Sequence, residues 1–308
     1  MNLTHLKGCG TALVTPFQSD GSLDEAALRR LIAAQLDAHI DFLIPCGTTG
    51  ESPSLTSEEH FRVVEITVEA AGGRVPVIAG AGGNNTEHVR EQIHSLESLG
   101  VDGILSVSPY YNKPTQEGIY QHYRRLAEST HLPILVYNVP GRTGSNVEPR
   151  TLLRLSEFPN ILGVKEASGS IAQADEILRI VPARFKVFSG DDALTVPMMA
   201  LGAVGIVSVV SNVSPGPMRS LAARCLAGDF DAARREHRLL APLMQALFLE
   251  SNPIPVKAAL AAMGLIHLAY RLPLVPMHPD NLAKLEKVLE HAGLLHAKER
   301  EYAPGRAH

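Results

Sequence analysis

One lysine, Lys165, ends a short apolar run whose composition is that of a buried strand. Moving an ammonium group out of water is costly, so a lysine held in such a place tends to lose its proton and become a nucleophilic amine. The alternative is structural: Lys165 pairs with the neighbouring Glu166 or extends its ammonium group into solvent. The run alone leaves both open.

Polar groups that would suit a nucleophilic lysine follow other apolar runs. They include the hydroxyls of Thr48 and Thr49 and the phenol of Tyr137. An amine, a phenol and hydroxyls together suggest Schiff-base chemistry on a keto acid, in which the imine is an electron sink and the phenol moves protons. Thr48 and Thr49 are also placed to hold a small carboxylate, although each alone is typical of a turn.

Eight short β-rich runs recur along the chain, and each is separated from the next by enough residues for one crossover helix. They occupy residues 11–14, 42–44, 75–79, 103–107, 134–137, 161–165, 185–188 and 205–210. Eight such units predict an α/β fold, a single (β/α)8 TIM barrel. The alternative is an open doubly wound sheet, which often has a nucleotide-binding fingerprint that the glycines of residues 80–83 do not match.

The strand signal stops after Asp229, and three segments with helical periodicity follow, at residues 230–249, 256–265 and 279–295. They predict a C-terminal helical appendage. We therefore expect a catalytic barrel over residues 1–229, a helical region over 230–296 and a frayed tail over 297–308.

In a TIM barrel the active site lies at the carboxyl ends of the strands, where Thr48, Tyr137 and Lys165 all fall. Residue parity puts Lys165 on the same strand face as Gly163 and Ile161, so Lys165 can point into the barrel. Glycine at position 163 is expected to leave room for a bulky neighbour such as a tyrosine ring.

The composition indicates an ordinary globular protein with a small substrate. The chain has 308 residues, 45% of them hydrophobic, and a net charge of -4, without a basic patch for nucleic acid. Its three cysteines, Cys9, Cys46 and Cys225, have neither disulfide nor zinc-site spacing. With no signal peptide and no apolar run of membrane length, we expect a cytoplasmic protein that contacts no membrane.

Six ordered motifs make the chain resemble the dihydrodipicolinate synthase (4-hydroxy-tetrahydrodipicolinate synthase) family of pyruvate-dependent class I aldolases over nearly its whole length. The motifs are GTTGES at 47–52, PYYNKP at 109–114, YNVPGRTG at 137–144, GVKEA at 163–167, SGDD at 189–192 and NPIPVK at 252–257. Six motifs in order are far more specific than any one of them.

The resemblance implies a lyase of lysine and diaminopimelate biosynthesis that needs no cofactor or metal. It implies that Lys165 forms an imine with pyruvate, and that Tyr137, Thr48 and Tyr111 form a proton relay. Tyr111 would come from a neighbouring subunit of a homotetramer built as a dimer of dimers.

Substrate-binding roles are implied in the same way. Thr49, with Gly190 and Val207, would hold the pyruvate carboxylate, and Arg142 would hold the carboxylate of L-aspartate 4-semialdehyde.

Two alternatives are weighed against this activity. The first is a sister enzyme, N-acetylneuraminate lyase or a keto-deoxy sugar acid aldolase; such enzymes commonly have serine in place of Thr48 and lack an arginine matching Arg142. The second is a non-catalytic barrel scaffold, which predicts a broken catalytic position.

Members of the family are often inhibited by lysine at a site between two subunits. The matching positions here are Ser52, Pro53, Ser57, His60, Asn84, His88 and Tyr110. Ser57 stands where histidine is common, and His88 stands where sensitive enzymes have an acid that pairs with the ligand ammonium group. We therefore expect feedback by lysine to be weak or absent.

Overall fold

A computed structural model describes residues 3–295 and contains one sheet of eight parallel strands. The sheet order is β2-β1-β8-β7-β6-β5-β4-β3, and a bridge between Leu43 and Val77 joins its two edges. The predicted (β/α)8 TIM barrel is confirmed. The strands are β1 Gly8–Ala12, β2 Phe42–Ile44, β3 Ile78–Gly80, β4 Gly103–Val107, β5 Ile134–Asn138, β6 Ile161–Glu166, β7 Lys186–Ser189 and β8 Gly205–Ser208.

Helices alternate with these strands and cover the barrel. They are α1 Glu25–Asp37, α2 Ser57–Ala71, α3 Thr86–Glu97, α4 Gln116–Ala127, α5 Pro140–Thr143, α6 Pro149–Leu155, α7 Ile171–Ile180, α8 Thr195–Ala200, α9 Pro215–Leu226, α10 Phe230–Ala246, α11 Ile254–Ala262 and α12 Pro279–His291. The sequence dictates their ends locally. At α2, for example, Thr56 accepts from the Glu59 backbone N–H while the Glu59 carboxylate accepts from Thr56, which is a capping box.

Two apolar layers stabilise the barrel. The outer layer packs between the strands and the helices. The inner layer fills the barrel and includes Phe42 and Phe188, whose ring centroids lie 5.5 Å apart in an edge-to-face arrangement. Because these rings fill the interior, polar side chains at the carboxyl ends of the strands stand on a packed floor.

The first strand begins three residues before the predicted start, because residues 8–10 do not have the composition of a strand. Residues 11–14 were expected, but β1 begins at Gly8. A Cβ on Gly10 would lie 2.0 Å from the Phe42 ring, so this position of the strand requires glycine. A β-branched residue, which is typical of strands, does not fit there. The third strand differs in the other direction: it begins at Ile78, later than the predicted residue 75.

The prediction that Ile161 shares a strand face with Lys165 in β6 is wrong. The strand has a bulge at Leu162, so Ile134 pairs with Ile161 and Leu135 pairs with Gly163. Ile161 therefore packs in the outer layer and does not share the face of Lys165. A Cβ on Gly163 would lie 1.9 Å from the carbonyl oxygen of Lys186. This glycine admits the neighbouring β7 backbone and not a tyrosine ring.

The C-terminal region is helical as predicted. Helix α12 packs against both α10 and α11, and residues 230–295 form no β-strand. The division at residue 229 stays a prediction, and the expected frayed tail at 297–308 lies outside the described residues, as does residue 296. Within residues 3–295, no helix is long and apolar enough to cross a membrane.

Candidate active site

Lys165 lies at the carboxyl end of β6, where the barrel opens. The side chain is 5% exposed and stands beside Tyr137 in the next strand, its Nζ 4.1 Å from the centre of the ring. Within the described chain, no carboxylate lies within ion-pair distance of Lys165.

Glu166 points away from Lys165, so the structural alternative of a pair between them is wrong. Its Oε2 accepts from the amides of Asn138 and Gln173 at 2.9 and 3.2 Å, and its Oε1 accepts from the Ser168 backbone N–H at 2.7 Å. This carboxylate is satisfied by uncharged donors behind the strand. Lys165 is left to face the barrel opening.

Gly190, one of the positions expected to border the keto acid, lies next to the lysine. A Cβ on Gly190 would lie 3.1 Å from Cε and Cγ of Lys165, so a glycine is what lets the β7 turn pass over the amine. Val207 is buried in β8 and belongs to the inner layer.

The buried carboxylate of Asp192 holds these two turns together. It accepts from Ser208 Oγ at 2.5 Å and from the backbone N–H groups of Val209 and Val210 at 3.0 and 3.2 Å. Burial raises the pKa of Asp192 to about 6, although the three hydrogen bonds oppose the shift.

Thr48 and Thr49 lie in the loop that follows β2. Turn hydrogen bonds shape this loop, from Gly50 N–H to the Gly47 carbonyl and from Glu51 N–H to the Thr48 carbonyl, both 3.1 Å long. Thr48 is half-buried, whereas Thr49 is 2% exposed and its hydroxyl accepts from the Asn252 amide at 2.9 Å.

Arg142 lies on the short helix α5 that follows β5. Its side chain is exposed, and its Nη2 donates to the backbone carbonyl of Asn252 at 3.1 Å. One edge of the guanidinium is thus anchored, and the remaining donors can bind an anion.

A cavity of about 550 Å³ connects several of these groups. Thr48, Tyr137, Arg142 and Asn252 line one part of it, and Lys165, Thr49, Gly190 and Val207 are not among its lining residues. The predicted regulatory positions are also among its lining residues: Ser52, Pro53, Ser57, His60, Asn84, His88 and Tyr110. Glu51 is the one carboxylate in the described lining.

His60 is the buried member of the regulatory set, at 3% exposure, while Ser57, Asn84 and His88 are exposed. Burial lowers the pKa of His60 to about 4, so the ring is neutral at pH 7. Its ring nitrogens lie 3.4 Å from Ser52 Oγ and 3.5 Å from the Gln92 amide.

Tyr111 does not meet the other relay residues within one chain. It is 87% exposed and has a φ of 73°, in the left-handed region that tyrosine rarely adopts. Its backbone N–H donates to the Thr143 carbonyl at 3.3 Å. Thr48 and Tyr137 line the same cavity, whereas Tyr111 is not among its lining residues.

No role was assigned from the sequence to Asn252, which contacts Thr49 and Arg142, or to a buried ion pair. Lys257 Nζ lies 2.5 Å from Glu51 Oε1, with side chains 0% and 1% exposed, and Lys257 also lies over the Phe17 ring at 4.2 Å. Burial lowers the pKa of Lys257 and raises that of Glu51, while their mutual attraction opposes both shifts. The signal available was a lysine inside the apolar stretch of residues 254–262, within the last of the six motifs.

Comparison with known proteins places these residues in one family. A model of the dihydrodipicolinate synthetase family matches residues 5–292. The 4-hydroxy-tetrahydrodipicolinate synthase of Koribacter versatilis is 54% identical over 291 residues, which cover 94% of this chain and 97% of that protein.

Solved structures agree with the sequence comparison. Dihydrodipicolinate synthase from Thermotoga maritima superimposes with a TM-score of 0.93 at 47% identity, covering 94% of this chain and 99% of that one. A monomeric dihydrodipicolinate synthase variant gives a TM-score of 0.93 at 46% identity, covering 95% of this chain and 99% of that one.

Proposed function

This chain belongs to the dihydrodipicolinate synthetase family, and we propose from that premise that it is a 4-hydroxy-tetrahydrodipicolinate synthase. As a lyase it joins pyruvate to L-aspartate 4-semialdehyde through a Schiff base on Lys165, in the diaminopimelate pathway to lysine. The observation that carries this proposal is a buried amine, 4.1 Å from the centre of the Tyr137 ring, that has no carboxylate partner in the described part of the chain.

The proposed reaction begins when the amine of Lys165 attacks the ketone carbon of pyruvate and water leaves. The imine withdraws electrons, so the methyl group loses a proton and an enamine forms. The enamine carbon attacks the aldehyde of the second substrate. The amine of that substrate then displaces Lys165 from the imine carbon, which closes the ring and frees the enzyme. The imine itself is the electron sink, so this reaction calls for no cofactor.

Proton transfers in these steps are assigned to the phenol of Tyr137, with Thr48 and Tyr111 as its relay partners. Tyr111 is exposed in one chain, which supports its donation to the site of a second subunit in a homotetramer. A monomeric dihydrodipicolinate synthase variant is among the solved relatives. We expect the assembled protein to work in the cytoplasm, where its buried, unpaired cysteines are kept reduced.

Two anchors are proposed for the substrate carboxylates. Thr49, Gly190 and Val207 border the position of the pyruvate carboxylate, and Arg142 offers a planar fork to the carboxylate of the aldehyde substrate. Two fixed anchors set the distance between the enamine carbon and the aldehyde, which is how positioning accelerates a reaction between two molecules.

The test is a kinetic comparison on purified protein. We expect condensation of pyruvate with aspartate semialdehyde at a kcat/KM well above that for cleavage of N-acetylneuraminate or a keto-deoxy sugar acid. The Lys165→Ala variant is the control for contaminating activity. Faster cleavage of a sugar acid would assign the chain to a sister activity, and the absence of all turnover would favour a scaffold.

We also propose that lysine inhibits this enzyme weakly or not at all. The described cavity lining has one carboxylate, Glu51, and that group is already paired with Lys257. His88 offers no negative charge to a ligand ammonium group. Rates measured against lysine concentration should therefore stay flat below the millimolar range, and half-inhibition at submillimolar lysine would contradict this proposal.

A further inference from the structure

Asn252 contacts both of the proposed carboxylate anchors. Its Nδ2 donates to Thr49 Oγ1 at 2.9 Å, and its backbone carbonyl accepts from Arg142 Nη2 at 3.1 Å. The residue is 6% exposed and lines the cavity. One buried residue thus joins the group proposed for the keto acid to the group proposed for the aldehyde.

A second link holds Asn252 in place. Five residues further along, Lys257 forms the buried ion pair with Glu51, which lies two residues after Thr49. The phenol of Tyr270 donates to the Ile254 carbonyl at 2.9 Å in the same segment. The loop after β2 and the segment that begins α11 are therefore joined at two points, Thr49 with Asn252 and Glu51 with Lys257. The Asn252 amide thus has a fixed position relative to Thr49.

The cost of burying Asn252 shows which of its atoms matters. Its Oδ1 is buried and has no hydrogen-bond partner among the described residues. An unsatisfied buried acceptor is destabilising, and an apolar residue of similar size would avoid that cost. The amide is therefore useful for its donor, which points to Thr49.

Donation from Asn252 determines what the Thr49 hydroxyl can do. A hydroxyl has one hydrogen to donate and two lone pairs to accept with. Because the amide occupies a lone pair of Thr49, the hydroxyl hydrogen points elsewhere and is available to a carboxylate.

We propose that Asn252 is a positioning residue for the keto acid, which it serves by directing the Thr49 hydroxyl hydrogen toward the substrate carboxylate. This inference rests on the proposed function. Its carbonyl restrains Arg142 at the same time, but that contact uses the backbone and survives a change of side chain.

The experiment is a double-mutant cycle of Asn252→Ala and Thr49→Val. In the wild-type background, we expect Asn252→Ala to raise KM for pyruvate about tenfold, the loss of one hydrogen bond to a charged ligand. KM for the aldehyde and kcat should change less than about threefold, because Arg142 keeps its anchor. In the Thr49→Val background, Asn252→Ala should add no further rise in KM for pyruvate.

Asn160→Ala is the matched control. The Asn160 amide donates to the carbonyls of Ala127 and Thr130, both at 2.9 Å, just before β6 begins and therefore at the opposite end of the barrel. This variant should leave KM for pyruvate unchanged. Where Asn252→Ala does not fold, Asn252→Leu, which is similar in size, lacks the donor and adds no charge, replaces it in the cycle.

The outcomes separate this inference from the function beneath it. Equal rises in KM for pyruvate in both Thr49 backgrounds, or an equal rise with Asn160→Ala, would show that the amide acts through the fold and would overturn the inference. If the wild-type enzyme is active and the Asn252 variants have the same KM for pyruvate, the inference is overturned as well. A wild-type protein without condensation activity would instead overturn the proposed function.

Discussion

Two lysines are buried within residues 3–295, and a carboxylate lies beside one of them and not the other. Lys257 has Glu51 at 2.5 Å and the Phe17 ring at 4.2 Å, and it is 0% exposed. Lys165 is 5% exposed, lies against the Tyr137 ring and has no carboxylate within ion-pair distance in residues 3–295.

The difference teaches that burial alone does not make a lysine a nucleophile. Both side chains are buried, and both contact an aromatic ring. The carboxylate beside Lys257 stabilises its ammonium form and holds it in an ion pair. Lys165 has no such partner among the described residues and lies at the barrel opening, where the proposed attack on a carbonyl carbon requires an amine.

The largest expected effect is on catalysis at Lys165. Lys165→Ala should lower kcat for condensation at least about 10³-fold, because the variant lacks the amine on which the proposed imine forms. Its free energy of unfolding should change by less than about 1 kcal/mol, since the variant breaks no ion pair. A rate assay and urea unfolding measure the two quantities. A variant that keeps a tenth of the wild-type rate would remove the distinction between the two lysines.

Lys257 should show the reverse pattern. Lys257→Met should lower the free energy of unfolding by about 3 to 5 kcal/mol, because Glu51 is left buried without its counter-charge. Urea unfolding measures this loss.

The double variant Glu51→Gln with Lys257→Met tests the reason for that loss. It removes both charges, so it should recover most of the lost stability. If the single and double variants were equally unstable, packing of the lysine stem and not the charge pair would explain the effect.

Two buried histidines, like the buried Lys257, differ from exposed groups because burial disfavours their charged form. Burial lowers the pKa of both His60 and His122 to about 4, below the value of about 6.5 in an unfolded chain. The unfolded state therefore binds more protons between these values, and stability is lost as pH falls from 6.5 to 4, by up to about 3 kcal/mol for each group. Unfolding by urea at a series of pH values measures this loss.

His122→Gln isolates one of these contributions, because glutamine does not titrate. The fall in stability between pH 6.5 and 4.5 should be smaller in this variant by about 1 to 2 kcal/mol. Asp192, whose pKa is raised to about 6, contributes with the opposite sign but equally in both proteins. Identical pH profiles would show that His122 is protonated in the folded state.

The smallest expected effect comes from crowding Lys165. A Cβ on Gly190 would lie 3.1 Å from Lys165 Cε and 2.7 Å from the Ala167 Cβ, so Gly190→Ala should displace the amine. We expect kcat/KM to fall about 10-fold, a typical result of misplacing a reacting group. Gly141→Ala is the control, because its Cβ would meet no atom within 4 Å. An equal loss in both variants would contradict the crowding explanation.

Much of the fold could be predicted because its signals are local. The strands at Phe42–Ile44 and Gly103–Val107 have the bounds that their apolar runs predict. The errors lie where distant atoms decide. Gly10 is explained by the Phe42 ring and Gly163 by the Lys186 backbone, and neither contact is visible in the neighbouring sequence.

The same limit applies to the candidate site. Lys165 could be found because a lysine is unusual at the end of an apolar strand. The ion pair of Glu51 and Lys257 joins residues 206 positions apart, and the contact of Asn252 with Thr49 joins residues 203 apart. Sequence motifs marked these residues, but only the fold shows which of them meet.

The most direct test of the central claim is borohydride reduction in the presence of pyruvate, followed by peptide mass spectrometry. We predict one added carboxyethyl group per chain, on the peptide that contains Lys165, and an unmodified Lys257 peptide. Modification of Lys257, or an unmodified Lys165 in protein that still turns over substrate, would contradict the account.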